Sequence, residues 1–305
     1  MSATDRTRQP NRLGQKRPGQ NRLGMLWMLA AMALFALEDA VIKAVATALP
    51  LAQVLLLFGL GGAAVFAVIA RRQGLALCPP AAFTGVMQVR AGFEIAGRLF
   101  YSLAIALTPL SSATAILQAT PVVVVFGAAV LLGERVGLVR WCAIGVGLLG
   151  VLCIVRPGSG DFSALSLLAV VGMIGFAGRD LASRAAPASL GTAILGLYGF
   201  LALAVAGGLY GFWAQEPVVW PSIGSVGLLA LAVAVGVAAY SSLMRAMRTG
   251  DVSAVTPFRY SRLLFGLALG VVVFGERIDP VMAVGCALIV LAGLATLRTA
   301  PGQHG

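Results

Sequence analysis

The stretch MALFALEDAVIK (residues 32–43) returns later in the chain as MIGFAGRDLASR (173–184). Met32 pairs with Met173, Phe35 with Phe176, Asp39 with Asp180 and Lys43 with Arg184, at an offset of 141. VLLGER (130–135) and VVFGER (272–277) keep nearly the same offset, 142, and so do Ser111 with Ser253, Thr114 with Thr256 and Arg156 with Arg298. Distant segments that share one offset describe a duplicated unit. Each copy of the first motif also places ionisable groups inside an apolar run, where each costs about 2.5–3.5 kcal/mol on insertion scales.

The residues around these motifs make the duplicated unit a membrane unit. The chain of 305 residues is 59% hydrophobic and 11% charged, against roughly 25% charged in soluble domains. Apolar runs of about 20 residues recur almost end to end, so the expected class is an all-α polytopic membrane protein. Breaks at polar, Pro and Gly clusters predict ten transmembrane helices, near 25–46, 50–70, 81–107, 110–132, 137–155, 163–184, 189–213, 221–247, 252–274 and 280–298. With both termini cytoplasmic, that side receives fourteen basic residues, including Arg71, Arg72, Arg245 and Arg248, and the other receives Arg156 and Arg277. The asymmetry follows the positive-inside rule. Five helices per unit force the two copies into opposite orientations, as two inverted five-helix repeats. Inverted repeats mark secondary transporters, with the substrate site near the midplane between the halves.

Residues 1–24 read as a disordered basic cytoplasmic tail, 25–158 as the first repeat, 159–298 as the second and 299–305 as a short cytoplasmic tail. The net charge of +11 lies largely in the first tail and at helix ends, so no nucleic-acid partner is expected. Cys78, Cys142, Cys153 and Cys286 form no CxxC pair and His304 is the only histidine. Metal sites and cofactors are therefore not expected.

The segment ATAILQATPVVVVFGAAVLLGERVGLVRWCAIGVGLLGVLCIVRPG (113–158) resembles the end of a repeat in the drug/metabolite transporter superfamily, of the EamA type. A proline enters its fourth helix, a Leu-Gly-Glu-Arg turn follows, and a glycine-rich fifth helix ends in Arg-Pro-Gly. SAVTPFRYSRLLFGLALGVVVFGERIDPVMAVGCALIVLAGL (253–294) repeats the pattern. The resemblance implies ten helices around a central cavity that opens alternately to each side. DAVIK, RDLASR and PFRY further resemble a bacterial subgroup that includes vitamin and S-adenosylmethionine carriers.

The embedded charges are the candidate substrate-binding or coupling residues. Asp39 and Lys43 lie four apart on one helical face, as do Asp180 and Arg184, so each pair is either a structural ion pair or part of a cavity wall. Glu38 has Arg179 as its repeat partner; the two either meet across the pseudo-symmetry axis, or Glu38 carries a coupling proton. Arg90, Glu94 and Arg98 form one stripe, in which a single carboxylate bridges two guanidiniums. Arg259 and Arg262 flank Tyr260 just after Pro257, where a missing backbone donor kinks a helix. Gln118 and Tyr240 add polar and stacking groups.

Lys43, Arg90, Arg98, Arg179, Arg259 and Arg262 outnumber Glu38, Asp39, Glu94 and Asp180 by two. That excess favours a ligand with a carboxylate or phosphate, which guanidinium binds in bidentate fashion. The expected function is secondary-active transport, not catalysis. The substrate is a small polar metabolite, such as an amino acid or an opine-type metallophore, and export across the bacterial inner membrane is favoured. The runner-up is an uptake carrier of the riboflavin or S-adenosylmethionine type. A lipid-modifying membrane enzyme is the rival from another class, though no activated nucleophile, histidine base or metal cluster speaks for it. Expected partners are the small-molecule substrate, the lipid bilayer and a coupling proton, with the protein a monomer or homodimer.

Overall fold

A computed structural model of the chain describes residues 18–131, 137–156, 163–183, 190–249 and 255–298. Among them, every regular element is helical: α1 (Pro18–Val45), α2 (Leu51–Arg72), α3 (Gly85–Leu107), α4 (Leu110–Leu117), α5 (Thr120–Leu131), α6 (Leu138–Val155), α7 (Ser166–Ser183), α8 (Thr192–Ala214), α9 (Ile223–Thr249), α10 (Ser261–Phe274) and α11 (Pro280–Arg298). Two short 3-10 turns, Pro80–Phe83 and Thr256–Tyr260, precede α3 and α10. Six spans are long and apolar enough to cross a membrane by length and composition, beginning with Gln20–Val45 and Leu51–Arg72. The α4–α5 segment counts as one of the six, as does the Thr256–Phe274 segment. The charges of α3 (Arg90, Glu94 and Arg98) keep it outside that set. The protein is thus a multi-pass membrane protein.

Two departures from the expected spans have local causes. The fourth span breaks between Leu117 and Thr120. Pro121 there has no N–H for the carbonyl four residues back, and the Thr120 hydroxyl donates to that carbonyl, Leu117 O, at 2.5 Å instead. The ninth span opens as a 3-10 turn at Thr256–Tyr260, with Pro257 in its first turn, and becomes α-helical only from Ser261. Gln118 ties the two breaks together, donating from Nε2 to Arg259 O at 3.0 Å.

The helices pair as α1 with α9, α3 with α7, α2 with α8 and α6 with α11, while α10 lies against α1 and α4. Glycines set how close some of these crossings come. A Cβ on Gly175 would stand 2.5 Å from Gly97 N across α3 and α7. One on Gly207 would stand 2.5 Å from Leu56 N across α2 and α8. Gly266 packs in the same way, lying on Thr114. Phe58, Phe66, Leu55, Ile105 and Ile116 fill the core between them.

Candidate functional site

The tight α3–α7 crossing brings a ladder of charges together. Glu94 of α3 is 2% exposed in a chain whose helices are otherwise apolar. It accepts from Arg98 Nε at 3.2 Å and from Arg179 Nη1 at 3.3 and 3.4 Å, and pairs with Arg90 at 3.7 Å. The remaining edge of the Arg179 fork turns to Asp180 Oδ1, with Nε at 2.9 Å and Nη2 at 2.7 Å. The Phe176 ring carries Arg179 and Arg98 at 4.9 and 5.9 Å from its centroid, a cation–π contact. Arg98 also reaches Glu38 Oε1 at 3.7 Å.

Asp39, 3% exposed, joins α1 to α3 and α10. Its Oδ2 accepts from Tyr101 Oη at 2.9 Å and from Arg262 Nη2 at 2.6 Å. The Arg262 guanidinium lies over the rings of Phe35 and Tyr101, at 5.2 and 5.6 Å.

Lys43 does not pair with Asp39. It donates to Ile105 O at 3.0 Å and Thr108 O at 2.5 Å and lies 3.9 Å from Glu276. Glu276 in turn accepts from Leu110 N at 2.6 Å, Ser111 N at 2.9 Å and Ser111 Oγ at 2.6 Å. A carboxylate at the amino end of a helix meets unpaired N–H groups and the positive end of the helix dipole, so Glu276 clamps the start of α4. Glu276 of VFGER is thus a charge clamp, while most of LLGER, its repeat equivalent, lies outside the described residues. At the same end of the helix bundle, Arg156 pairs with Asp279. The Met282 N–H and the Arg156 guanidinium hold the Asp279 carboxyl below its usual range.

Two further sequence expectations change, and a third falls outside the described residues. Glu38 and Arg179 do not meet as partners: Glu38 faces Arg98, and Arg179 faces Glu94 and Asp180. Arg184 lies outside the described residues, so the Asp180–Arg184 pair does too. The positive excess shrinks from two to one, because Glu276 supplies Lys43 with an acid from 233 positions away. The group left over is Arg259. Its side chain is half-buried and has no ion pair or hydrogen bond among the described residues. Tyr260 is buried beside it, its hydroxyl unpartnered and set against Gly293. Tyr240 packs edge-on against Phe66 at 5.5 Å, within electrostatic reach of Glu94. Sequence reasoning gave Tyr101 and Phe35 no polar or cationic role and missed the Phe176 platform. Phe176 is the repeat partner of Phe35, and both rings carry an arginine, a signal present in the aligned motifs.

An apolar cavity of about 650 Å³ lies elsewhere, between α5, α6 and α7, lined by Val122, Phe126, Leu148, Leu152 and Ile174 among others. It offers nothing to orient a polar ligand and opens onto the exposed apolar surface. In the charged cluster, by contrast, Glu38, Asp39 and Glu94 are buried while the arginines and Asp180 are half-buried.

Comparison with known proteins gives the family. The sequence pattern of the EamA-like transporter family matches residues 22–156 and again 163–298. The chain is 29% identical over 282 residues to the pseudopaline exporter CntI of Pseudomonas aeruginosa, covering 92% of this chain and 97% of that protein. It is 26% identical over 289 residues to the riboflavin transporter of Rhizobium johnstonii, covering 92% and 93%. It is 23% identical over 200 residues to the S-adenosylmethionine uptake transporter of Rickettsia bellii, covering 65% and 67%. A solved crystal structure, 25% identical, superposes with a TM-score of 0.62 over 93% of this chain and all of that one. These relatives are named as transporters, not enzymes, and the chain belongs to the EamA-like transporter family.

Proposed function

We propose that this chain is a secondary-active transporter that exports a small polar metabolite bearing a carboxylate across the bacterial inner membrane. An amino acid or an amino-acid-derived compound such as an opine-type metallophore fits best. One observation carries the reading: four arginines and four acids, drawn from both halves of the chain, pair among apolar helices in two groups (Arg90, Arg98 and Arg179 with Glu38, Glu94 and Asp180, and Arg262 with Asp39), with Glu38, Asp39 and Glu94 buried. Ionisable groups inside membrane helices line substrate or ion pathways by default.

The architecture of this reading is two inverted five-helix repeats, 25–158 and 159–298, working by alternating access. The helix pairing supports it. Under the repeat, α1 exchanges with α7 and α9 with α3, and α1 packs on α9 as α7 packs on α3. The pairs α2–α8 and α6–α11 map onto themselves. With both termini cytoplasmic, the Lys43–Glu276 clamp shuts the outer end, and Glu38 is the seat of a coupling proton. The pseudopaline exporter among the relatives supports the export direction. A second reading, uptake of a vitamin or nucleoside-like metabolite, is favoured by the riboflavin and S-adenosylmethionine relatives.

Proteoliposomes holding purified protein decide between them. Saturable counterflow of labelled amino acids or metallophores, driven by a proton gradient, is the expected result. Counterflow of riboflavin or S-adenosylmethionine alone selects the second reading, and no saturable exchange of any of these rejects transport of these classes.

A further inference from the structure

We propose that Glu38 and Arg262 are the two poles of a site for a zwitterionic head group, with an ammonium taken at Glu38 Oε2 and a carboxylate at Arg262 Nε. The inference rests on the transporter reading above and adds which side chain takes which end of the substrate.

Satisfaction of the buried charges is uneven, and the unevenness has a pattern. Glu94 is met by three arginines, and Asp39 accepts two hydrogen bonds on one oxygen. Glu38 is just as buried, 3% exposed, yet its nearest cation, Arg98, stands at 3.7 Å from Oε1, beyond hydrogen-bond length. Its Oε2 has no partner. Arg262 gives Nη2 to Asp39, while its Nε–H is also buried without a partner. One orphan is an acceptor carrying negative charge and the other a donor carrying positive charge.

The two orphans flank a single residue: Glu38 is the chain neighbour of Asp39, and Arg262 is its ion-pair partner. The Arg262 charge acts on the Glu38 carboxylate. Buried polar atoms in folded proteins are almost always paired, and an orphan calls for an explanation. An orphaned acceptor on the chain neighbour of Asp39 and an orphaned donor on its ion-pair partner are the complement of an ammonium and a carboxylate borne on one molecule. An ammonium brings three donors and no acceptor, a carboxylate brings acceptors only, and both bonds are charge-assisted. Gly236 lets α9 pack closely on this carboxylate, since a Cβ there would stand 2.9 Å from Phe58 Cζ and 3.2 Å from Glu38 Oε2. A substrate bearing one charge satisfies one orphan and leaves the other buried beside it.

The test uses the full-length protein in lipid nanodiscs. The probes are the common L-amino acids, each with its des-amino acid and its decarboxylated amine. Thermal stabilisation and equilibrium binding are measured on the unmodified protein, Glu38→Gln and Arg262→Lys. At least one zwitterion should bind on the order of ten- to a hundredfold tighter than both its single-charge relatives. Glu38→Gln, which keeps size, should bind that zwitterion no better than its des-amino acid. Arg262→Lys, which keeps the charge facing Asp39, should lose carboxylate selectivity and retain the amine.

A des-amino acid that binds as well as its parent overturns the assignment. So does a folded Glu38→Gln with unaltered zwitterion affinity, or the absence of any zwitterion binding. If Glu38→Gln fails to fold, the ligand series on the unmodified protein still decides. Counterflow of the same probes separates the two levels: exchange of single-charge probes leaves the transporter reading standing and removes the two-pole site, whereas no exchange of any solute removes the transporter reading itself.

Discussion

The clamp around Glu276 and the cluster around Glu94, Glu38 and Asp39 are built from the same residue types and treat them in opposite ways. At the clamp every group is satisfied: both Glu276 oxygens accept from α4, and Lys43 has two carbonyls and the Phe274 face. In the cluster, charges are shared among several partners, and two atoms, Glu38 Oε2 and Arg262 Nε, have none. A saturated charge group holds helices in place. An unsaturated one keeps binding capacity in reserve, at a cost in stability that only a ligand offsets. In the proposed reading, architecture and recognition are thereby divided between one end of the bundle and its interior.

The largest expected effect breaks the cluster at its hub. Glu94→Ala leaves Arg90, Arg98 and Arg179 without their shared acid, and removing one partner from a buried pair costs about 3–5 kcal/mol. Purified Glu94→Ala should show the lowest melting temperature of any single cluster variant, or fail to accumulate. A melting temperature like that of the unmodified protein would remove Glu94 from the hub. Next comes the clamp. Glu276→Ala deprives two backbone N–H groups and a lysine of a carboxylate, about 1.5–3 kcal/mol for bonds to a charged group. It should also admit a maleimide reagent to a cysteine placed at the fully buried Ala113 in a background without native cysteines. An unchanged labelling rate would mean that the clamp does not hold that end closed.

The sequence carried the helical framework because apolar length is local information: the span expected at 280–298 is α11 to the residue. Pro257 announced the irregular start of the ninth span for the same reason, whereas the break before Pro121 was not read from the sequence. Within the site, the stripe of Arg90, Glu94 and Arg98 was legible since its partners sit one helical turn apart. The same spacing rule failed for Asp39 and Lys43. Local spacing says that two groups are able to meet, and long-range packing decides whether either has a better partner. Asp39 found Arg262, 223 positions away, and Lys43 found Glu276. The cause is the packing of α10 against α1 and α4 together with the turn into α10, neither of which charge spacing encodes.

That contrast yields a smaller effect that sharpens the comparison. A double-mutant cycle of Asp39→Asn with Arg262→Gln should give a coupling of about 1–3 kcal/mol in unfolding free energy, as residues in direct contact do. The cycle of Asp39→Asn with Lys43→Met should close within about 0.5 kcal/mol, as sites without shared partners do. Equal couplings would return Lys43 to the cluster and erase the division between cluster and clamp.

The smallest expected effect on stability belongs to Arg259, and it bears most directly on function. Its guanidinium has no partner among the described residues, and only its backbone carbonyl is held, by Gln118. Truncating it removes no ion pair, so Arg259→Ala should change unfolding free energy by no more than about 0.5 kcal/mol. It is also the cation left over once Lys43 is matched with Glu276, and it stands on the 3-10 turn one residue from the buried Tyr260. In the transporter reading it grips a further carboxylate of an amino-acid-derived substrate, beyond the head group at Arg262. Arg259→Lys keeps the charge and loses the planar fork, so it should weaken binding of such a substrate while binding of a simple amino acid is unaltered. Arg259→Ala should abolish the preference for the second carboxylate. Titration of the purified variants with a monocarboxylate and a dicarboxylate amino acid reads this directly. If Arg259→Ala separates the two as well as the unmodified protein does, Arg259 grips no substrate, and its charge belongs to the membrane surface instead.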